Sequence, residues 1–181
     1  MTNGFAWEWR TLRALQRRRT PFWDAVMPVI SLLDNNGYLW VAVAFAMLFF
    51  RAHRSGGVLL LAALLGGVLI GNLLLKNLFA RPRPCWLDER VPLLIPVPRD
   101  YSFPSCHTLS SAAAATLLML EARWMGWIAI PLALLIAFSR LYLYVHFPTD
   151  ILAGLVCGVG IGFAAWQWLR PMLLHLSWLR A

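Results

Sequence analysis

The chain has 181 residues, 60% of them hydrophobic and 13% charged, with a formal net charge of +8, and this is the composition of one membrane domain. The positive charge does not signal a nucleic-acid partner, because all but one of the sixteen basic side chains are arginines, and apolar runs separate them instead of one continuous basic face. Cys85, Cys106 and Cys157 have no second Cys or His at ligand spacing, which argues against a structural metal or a disulfide framework.

In chain order, Phe5, Trp9, Leu12 and Leu15 fall on one helical stripe and Arg10, Arg13 and Arg17 on another, the pattern of a helix lying in the membrane interface over residues 1–20. The arginines follow the first aromatics and precede no long apolar run, so this segment does not read as a cleaved signal peptide. Residues 21–36 are apolar but carry Asp24, Pro28, Asp34 and Asn35, and they fall short of the ~20 residues a crossing requires. They predict a short or re-entrant helix, which would add a sixth span if it crossed. Residues 37–50 begin a span with Tyr38 and Trp40 as interfacial anchors, and residues 57–75 form an uninterrupted apolar crossing with Lys76 at its exit. A proline-rich, charged loop follows over 80–103, outside the bilayer. Residues 104–120, 126–145 and 148–169 read as three more spans, and the spacing Gly154, Gly158, Gly162 marks close helix packing.

The expected fold class is all-α: a polytopic membrane helical bundle of five clear spans in a single domain over 1–181. Counting spans puts Lys76, the start of the 104 helix, Arg140 and the start of the 148 helix on one face. That face collects a lysine, arginines, two histidines and an aspartate. Ser102 as a cap and Pro104 in the first turn leave the N–H groups of residues 105–107 pointing out of a helix end that suits an anion. Lys76, Arg83 and Arg140 converge on it, and the guanidinium fork suits phosphate oxygens. Taken singly each arginine reads as a headgroup anchor; their joint spacing asks for a function. Asp150 stands where it can accept a hydrogen bond from the His146 ring and fix its tautomer, and His107 is free to give a proton to a leaving oxygen.

Three pieces carry this pattern: Lys76, six residues, Arg83-Pro84; then Pro104-Ser105-Cys106-His107; then Ser139-Arg140, five residues, His146, three residues, Asp150. They resemble the three-part signature of the type 2 phosphatidic acid phosphatase and vanadium haloperoxidase superfamily, with Cys106 in place of the family glycine. The resemblance implies that His146 attacks phosphorus to form a phosphohistidine, that Asp150 orients it, and that His107 protonates the leaving alkoxide and later activates water. Lys76, Arg83, Ser105, Cys106 through its N–H, and Arg140 would hold the phosphoryl oxygens, with no metal and no cofactor. The apolar helices favour the membrane lipid phosphatases over the soluble haloperoxidase branch. The implied partners are the bilayer and a lipid phosphate: phosphatidic acid, phosphatidylglycerophosphate, undecaprenyl pyrophosphate or lipid A. A phosphotransferase using the same residues and a non-enzymatic phospholipid-binding or transport protein remain as alternatives.

The implied location is a bacterial inner membrane with the site on the extracytoplasmic face. Arg51, Arg54, Arg123, Arg170 and Arg180 on the opposite side, against Arg81, Arg90 and Arg99 on the site side, agree with that orientation. The N-terminal arginines strengthen it only if residues 21–36 cross. Position 106 falls in a first helical turn, where an ordinary residue is sterically allowed. On an oxidising face Cys85 and Cys106 have two readings, a disulfide bridge or two free thiols.

Overall fold

The computed structural model describes residues 4–173 and 175, and among them helices and loops account for the whole chain. Seven helices organise it: α1 (Ala6–Arg17), α2 (Pro21–Leu33), α3 (Tyr38–Phe49), α4 (Arg54–Gly67), α5 (Cys106–Glu121), α6 (Arg123–Tyr142) and α7 (Pro148–Ala164). α4 runs on through a wider, π-type stretch Val68–Leu75 into Lys76–Phe79, and α7 continues through Ala165–Leu169 into Arg170–Leu173. Three helices are long and apolar enough to cross a membrane, or four if α2 and α3, bent by 41° at Asn35–Gly37, form one span. Alone, α3 has twelve residues, about 18 Å of rise, too short to cross. The sequence reading of 21–36 and 37–50 as separate elements matches two helices, and their bend of 41° suits either a broken span or a re-entrant turn. Asn36 at φ 52° and Gly37 at φ 75° make the bend.

The core is a sandwich of small and large residues. α5 carries the buried Ala112, Ala113, Ala114 and Ala115, and α7 faces it with Gly154, Gly158 and Gly162, also buried. The fit leaves no room for a methyl group: a Cβ at Gly154 would lie 2.6 Å from the Ser105 carbonyl oxygen, and one at Gly162 2.7 Å from that of Ala113. Such contact replaces a hydrophobic driving force, which helices surrounded by lipid do not have. It also sets the N-termini of α5 and α7 side by side, so that the Ser105 N–H donates to the Asp150 carbonyl at 3.1 Å. Outward-facing Phe49, Trp127, Val156 and Trp168 are mostly exposed, an apolar rim suited to lipid.

α1 departs from a helix lying free in the interface. Its Leu12 and Glu8 are fully buried, Trp9 packs edge-on against Phe147 at 5.1 Å, and the helix lies on the end of the bundle where α6 finishes and α7 starts. Phe5, on the same stripe of the sequence reading, is half exposed. The sequence reading that Arg180 closes the opposite face lies outside the described residues.

Candidate active site

Two sharp reversals aim the polar side chains. Ala80, a non-glycine residue in the left-handed region at φ 42°, ends the α4 continuation and turns the chain back on itself. Arg81 and Arg83 thereby enter the bundle and are both buried. Tyr144, at φ 62°, does the same between α6 and α7 and directs His146 inward. Lys76, Arg83, His107, Arg140 and His146 then line one cavity of about 930 Å³. The same cavity is lined by the apolar Leu32 and Val41 of the bent pair and Leu61, Leu64 and Leu65 of α4, beside the polar Ser31, Asp34, Asn35 and Asn36 at the bend.

Arg83 is the most heavily engaged of the cations. Its Nε donates to the Asp100 carbonyl at 2.7 Å, Nη2 to the Asp100 carboxylate at 2.8 Å, and Nη1 to the Val145 carbonyl at 2.8 Å. Nη1 also lies 3.1 Å from His146 Nε2. A guanidinium only donates, so Nε2 carries the lone pair and the ring hydrogen belongs on Nδ1. Burial, then the positive charges of Arg83, Arg140 and Lys76, push the His146 pKa well below the ordinary histidine value. The ring is therefore neutral at physiological pH.

Asp150 is placed differently from the sequence expectation. Its Oδ2 lies 3.6 Å from His146 Nδ1, outside hydrogen-bond range, and Nδ1 has no partner. Oδ2 instead accepts the Phe147 N–H at 2.8 Å, while Oδ1 accepts from Arg81 Nη1 at 2.5 Å. Arg81, read from the sequence as a loop residue, is the buried hub here. Its Nη2 donates to Glu8 of α1 at 2.7 Å, Nη1 also reaches the Thr149 hydroxyl at 2.7 Å, and its guanidinium sits 4.2 Å over the Phe147 ring. Glu8 Oε1 accepts the Thr149 hydroxyl at 2.6 Å. Although its burial raises the Glu8 pKa, bonds from Thr149 and Phe5 and the charge of Arg81 outweigh that and hold it below the usual carboxylate value. Two carboxylates thus share one buried cation directly behind His146. The spacing signature contains neither Glu8 nor Arg81. The one available signal was an acidic residue on the apolar stripe of an otherwise basic helix.

The remaining expected residues separate into those that reach the cavity and those that do not. Arg140 reaches it: Nη1 donates to Ser31 of α2, and Nε is buried without a partner. Lys76 pairs with the Asp100 carboxylate, so Asp100 spans two of the three cations expected to hold phosphate. Burial raises the Asp100 pKa, but Arg83 and Lys76 together outweigh it and hold the carboxylate at about 2. α5 begins at Cys106 with Ser105 as its cap residue. Ser102 does not cap it, donating instead to the Pro82 carbonyl at 3.2 Å. The Ser105 N–H is already taken by Asp150, and its hydroxyl, fully buried, accepts from Thr108 at 3.1 Å outside the cavity lining. The free donors at this helix end are therefore those of the first turn, Cys106 to Thr108. Cys106 and Cys85 are both free thiols: Cys106 Sγ donates to Asn72 Oδ1 at 2.6 Å, and Cys85 is buried among Leu12, Tyr142 and Leu143. The bridge reading fails because the two sulfurs belong to different packing environments.

Residues 56–172 match the model of the PAP2 superfamily. Undecaprenyl-diphosphatase of Sulfolobus acidocaldarius is 36% identical over 131 residues, 72% of this chain and 63% of that protein. Undecaprenyl-diphosphatase BcrC of Bacillus subtilis is 32% identical over 154 residues, 83% of this chain and 78% of that one. Among solved structures, LpxE of Aquifex aeolicus superposes with a TM-score of 0.82 at 28% identity, covering 93% of this chain and 99% of its own. A phosphatidylglycerolphosphate phosphatase of Bacillus subtilis gives 0.75 at 26% identity, covering 91% and 85%. The fold and the family match define a membrane lipid phosphatase of the PAP2 type. The chain belongs to the PAP2 superfamily.

Proposed function

We propose that the protein hydrolyses a phosphate monoester or diphosphate of a lipid through a phosphohistidine on His146. The observation that carries this reading is the lining of one cavity, which brings Lys76, Arg83, Arg140 and two histidines together with the aliphatic Leu32, Val41, Leu61, Leu64 and Leu65. The cations suit a phosphate and the aliphatic side chains a hydrocarbon chain.

His146 Nε2 attacks phosphorus and the bond to the leaving oxygen breaks, with His107 supplying the proton that oxygen takes up. His107 then removes a proton from water, the resulting hydroxide attacks phosphorus, and the N–P bond breaks to return His146. In the resting arrangement the Nε2 lone pair accepts from Arg83, so Arg83 must transfer that N–H to a phosphoryl oxygen as substrate enters. Lys76 must likewise exchange Asp100 for phosphate. Arg140 offers its unpartnered Nε, and the first turn of α5, Cys106 included, offers backbone N–H groups to the charge that builds up in the transition state. Asp150 faces the Nδ1–H and stabilises the positive ring as it forms. Ser105 acts by fixing the cap of α5 beside α7.

The membrane arrangement we favour has five crossings: the bent α2–α3 pair, α4, α5, α6 and α7. We place the enzyme in a bacterial inner membrane with the site outward, on the strength of the family resemblance. The arginine balance does not support that orientation: α1 lies at the site end, which adds Arg10, Arg13, Arg17 and Arg18 to that side. A cysteine replacing the exposed Arg90 of the site loop, in a Cys85, Cys106 and Cys157 serine background, decides it. Labelling of intact spheroplasts by a membrane-impermeant maleimide is expected, and labelling only after lysis would invert the orientation. For the chemistry, detergent-purified protein is assayed for phosphate release from the four lipid classes side by side, with acid-labile phosphate trapped on His146. Rapid release without such an adduct in any quenched sample would refute the covalent route.

A further inference from the structure

One polar position in the cavity is unused by the phosphate chemistry. Asp34, at the break between α2 and α3, is 1% exposed and lines the same cavity as His107 and Arg140. Its Oδ2 accepts the hydroxyls of Ser110 at 2.6 Å and Ser111 at 3.0 Å. Ser111 in turn accepts the Trp40 indole N–H at 3.0 Å, so the carboxylate is held on a fixed axis. Its Oδ1 is buried and accepts from nothing. The Arg140 Nε, on a side chain that lines the same cavity, is also buried and unpartnered. Buried polar atoms are almost always bonded, so an acceptor and a donor left open in one cavity call for a ligand that supplies the complement of each.

The position of Asp34 decides which part of a substrate meets it. Ser110, its partner, follows His107 by three residues on α5, so Asp34 stands one helical turn deeper than the group that protonates the leaving oxygen. Atoms attached to that oxygen lie within reach of it among the lining residues of the cavity. Arg140 can take a phosphoryl oxygen, whereas Oδ1 needs a donor. A hydroxyl beside the scissile ester supplies one, and a second phosphate in that place supplies only acceptors and negative charge. We propose that Asp34 is a specificity-determining residue for the leaving group: it accepts a hydrogen bond from a hydroxyl on the glycerol or sugar carbons of the leaving side, and it disfavours a diphosphate. This rests on the phosphatase reading above and names the substrate class within it.

The test uses the whole protein in detergent, with kcat/KM measured on phosphatidylglycerophosphate, on its analogue lacking the hydroxyl next to the scissile ester, and on farnesyl diphosphate, each expressed relative to phosphatidic acid. The expected result is a loss of about tenfold or more for the deoxy analogue, because a site built to bond a hydroxyl rejects the substrate lacking it. D34N places an N–H₂ donor where the free oxygen stood, keeps an acceptor for Ser110 and Ser111, and is expected to shift the ratio of diphosphate to glycerophosphate upward by about tenfold. Equal rates on the hydroxyl and deoxy substrates with wild-type enzyme overturn the proposal and leave Asp34 bridged by water, whether or not D34N folds. An unchanged ratio in folded D34N overturns it equally. Absence of phosphate release from every lipid would instead remove the phosphatase reading on which it stands.

Discussion

Replacing Gly154 by alanine tests whether the site depends on the approach of α5 to α7. The added Cβ would lie 2.6 Å from the Ser105 carbonyl oxygen and 3.1 Å from Thr108 Cβ. Ordinary contact needs about 3.5 Å, so the helix ends must part by roughly 1 Å, at an overpacking cost of about 1–3 kcal/mol. The displacement acts where the Ser105 N–H meets the Asp150 carbonyl, and so it separates the end carrying His107 from the segment carrying His146. A misplacement of about 1 Å can lower kcat by about 100-fold. The assay compares kcat and the unfolding midpoint of G154A with those of G160A, where a Cβ meets nothing within 4 Å. G154A retaining more than about a third of wild-type kcat would refute the claim that this contact sets the catalytic geometry.

Further outcomes follow from the same geometry. H146A should lose at least about 1000-fold in kcat, since removal of a nucleophile abolishes its pathway, and a variant that keeps a tenth of the rate removes His146 as nucleophile. Because burial and the neighbouring cations depress the His146 pKa, the lone pair is available above that low value and is lost only as pH falls through it. The acid limb of kcat/KM, which reports the free enzyme, should therefore lie below pH 6.5 once the substrate phosphate ionisation is subtracted, and a limb above 6.5 would contradict the burial argument. Asp100 titrates at about 2, so its pairing with Lys76 and Arg83 is complete above the ordinary carboxylate range and fails only as pH falls through about 2. D100N removes that competing anion and should lower the inhibition constant for inorganic phosphate several-fold, whereas a weaker phosphate interaction would show that Asp100 chiefly holds the cations in place. E8A leaves Arg81 with one of its two carboxylates, and breaking a buried pair of this kind costs about 3–5 kcal/mol; an unfolding midpoint unchanged within error would show that α1 is not part of the packed unit.

What the sequence made legible is the part of the site set by short-range spacing. Arg140, His146 and Asp150 lie in the last turn of α6, the loop after it and the first turn of α7, and Lys76 and Arg83 flank one turn, so their separations along the chain carry the geometry. Packing was legible for a similar reason: glycines four apart repeat along one helical face, and α7 uses that face against α5. Glu8 and Arg81 lie 73 residues apart and meet through a fold that no local pattern encodes. α1 read as an interfacial helix because its arginines dominate the pattern, and Glu8 formed no part of that reading. Asp34 offered a stronger signal. An ionisable residue inside an apolar run is expensive to bury and by default implies a role, and Asp34 lines the cavity at the bend of α2–α3. The Cys85 and Cys106 bridge was open for the opposite reason: proximity along a loop says nothing about where each sulfur goes, and here Cys85 enters a core while Cys106 lines the cavity. The signature picks out residues held by short-range spacing, whereas Glu8, Arg81 and Asp34 reach the same region from elements distant in sequence.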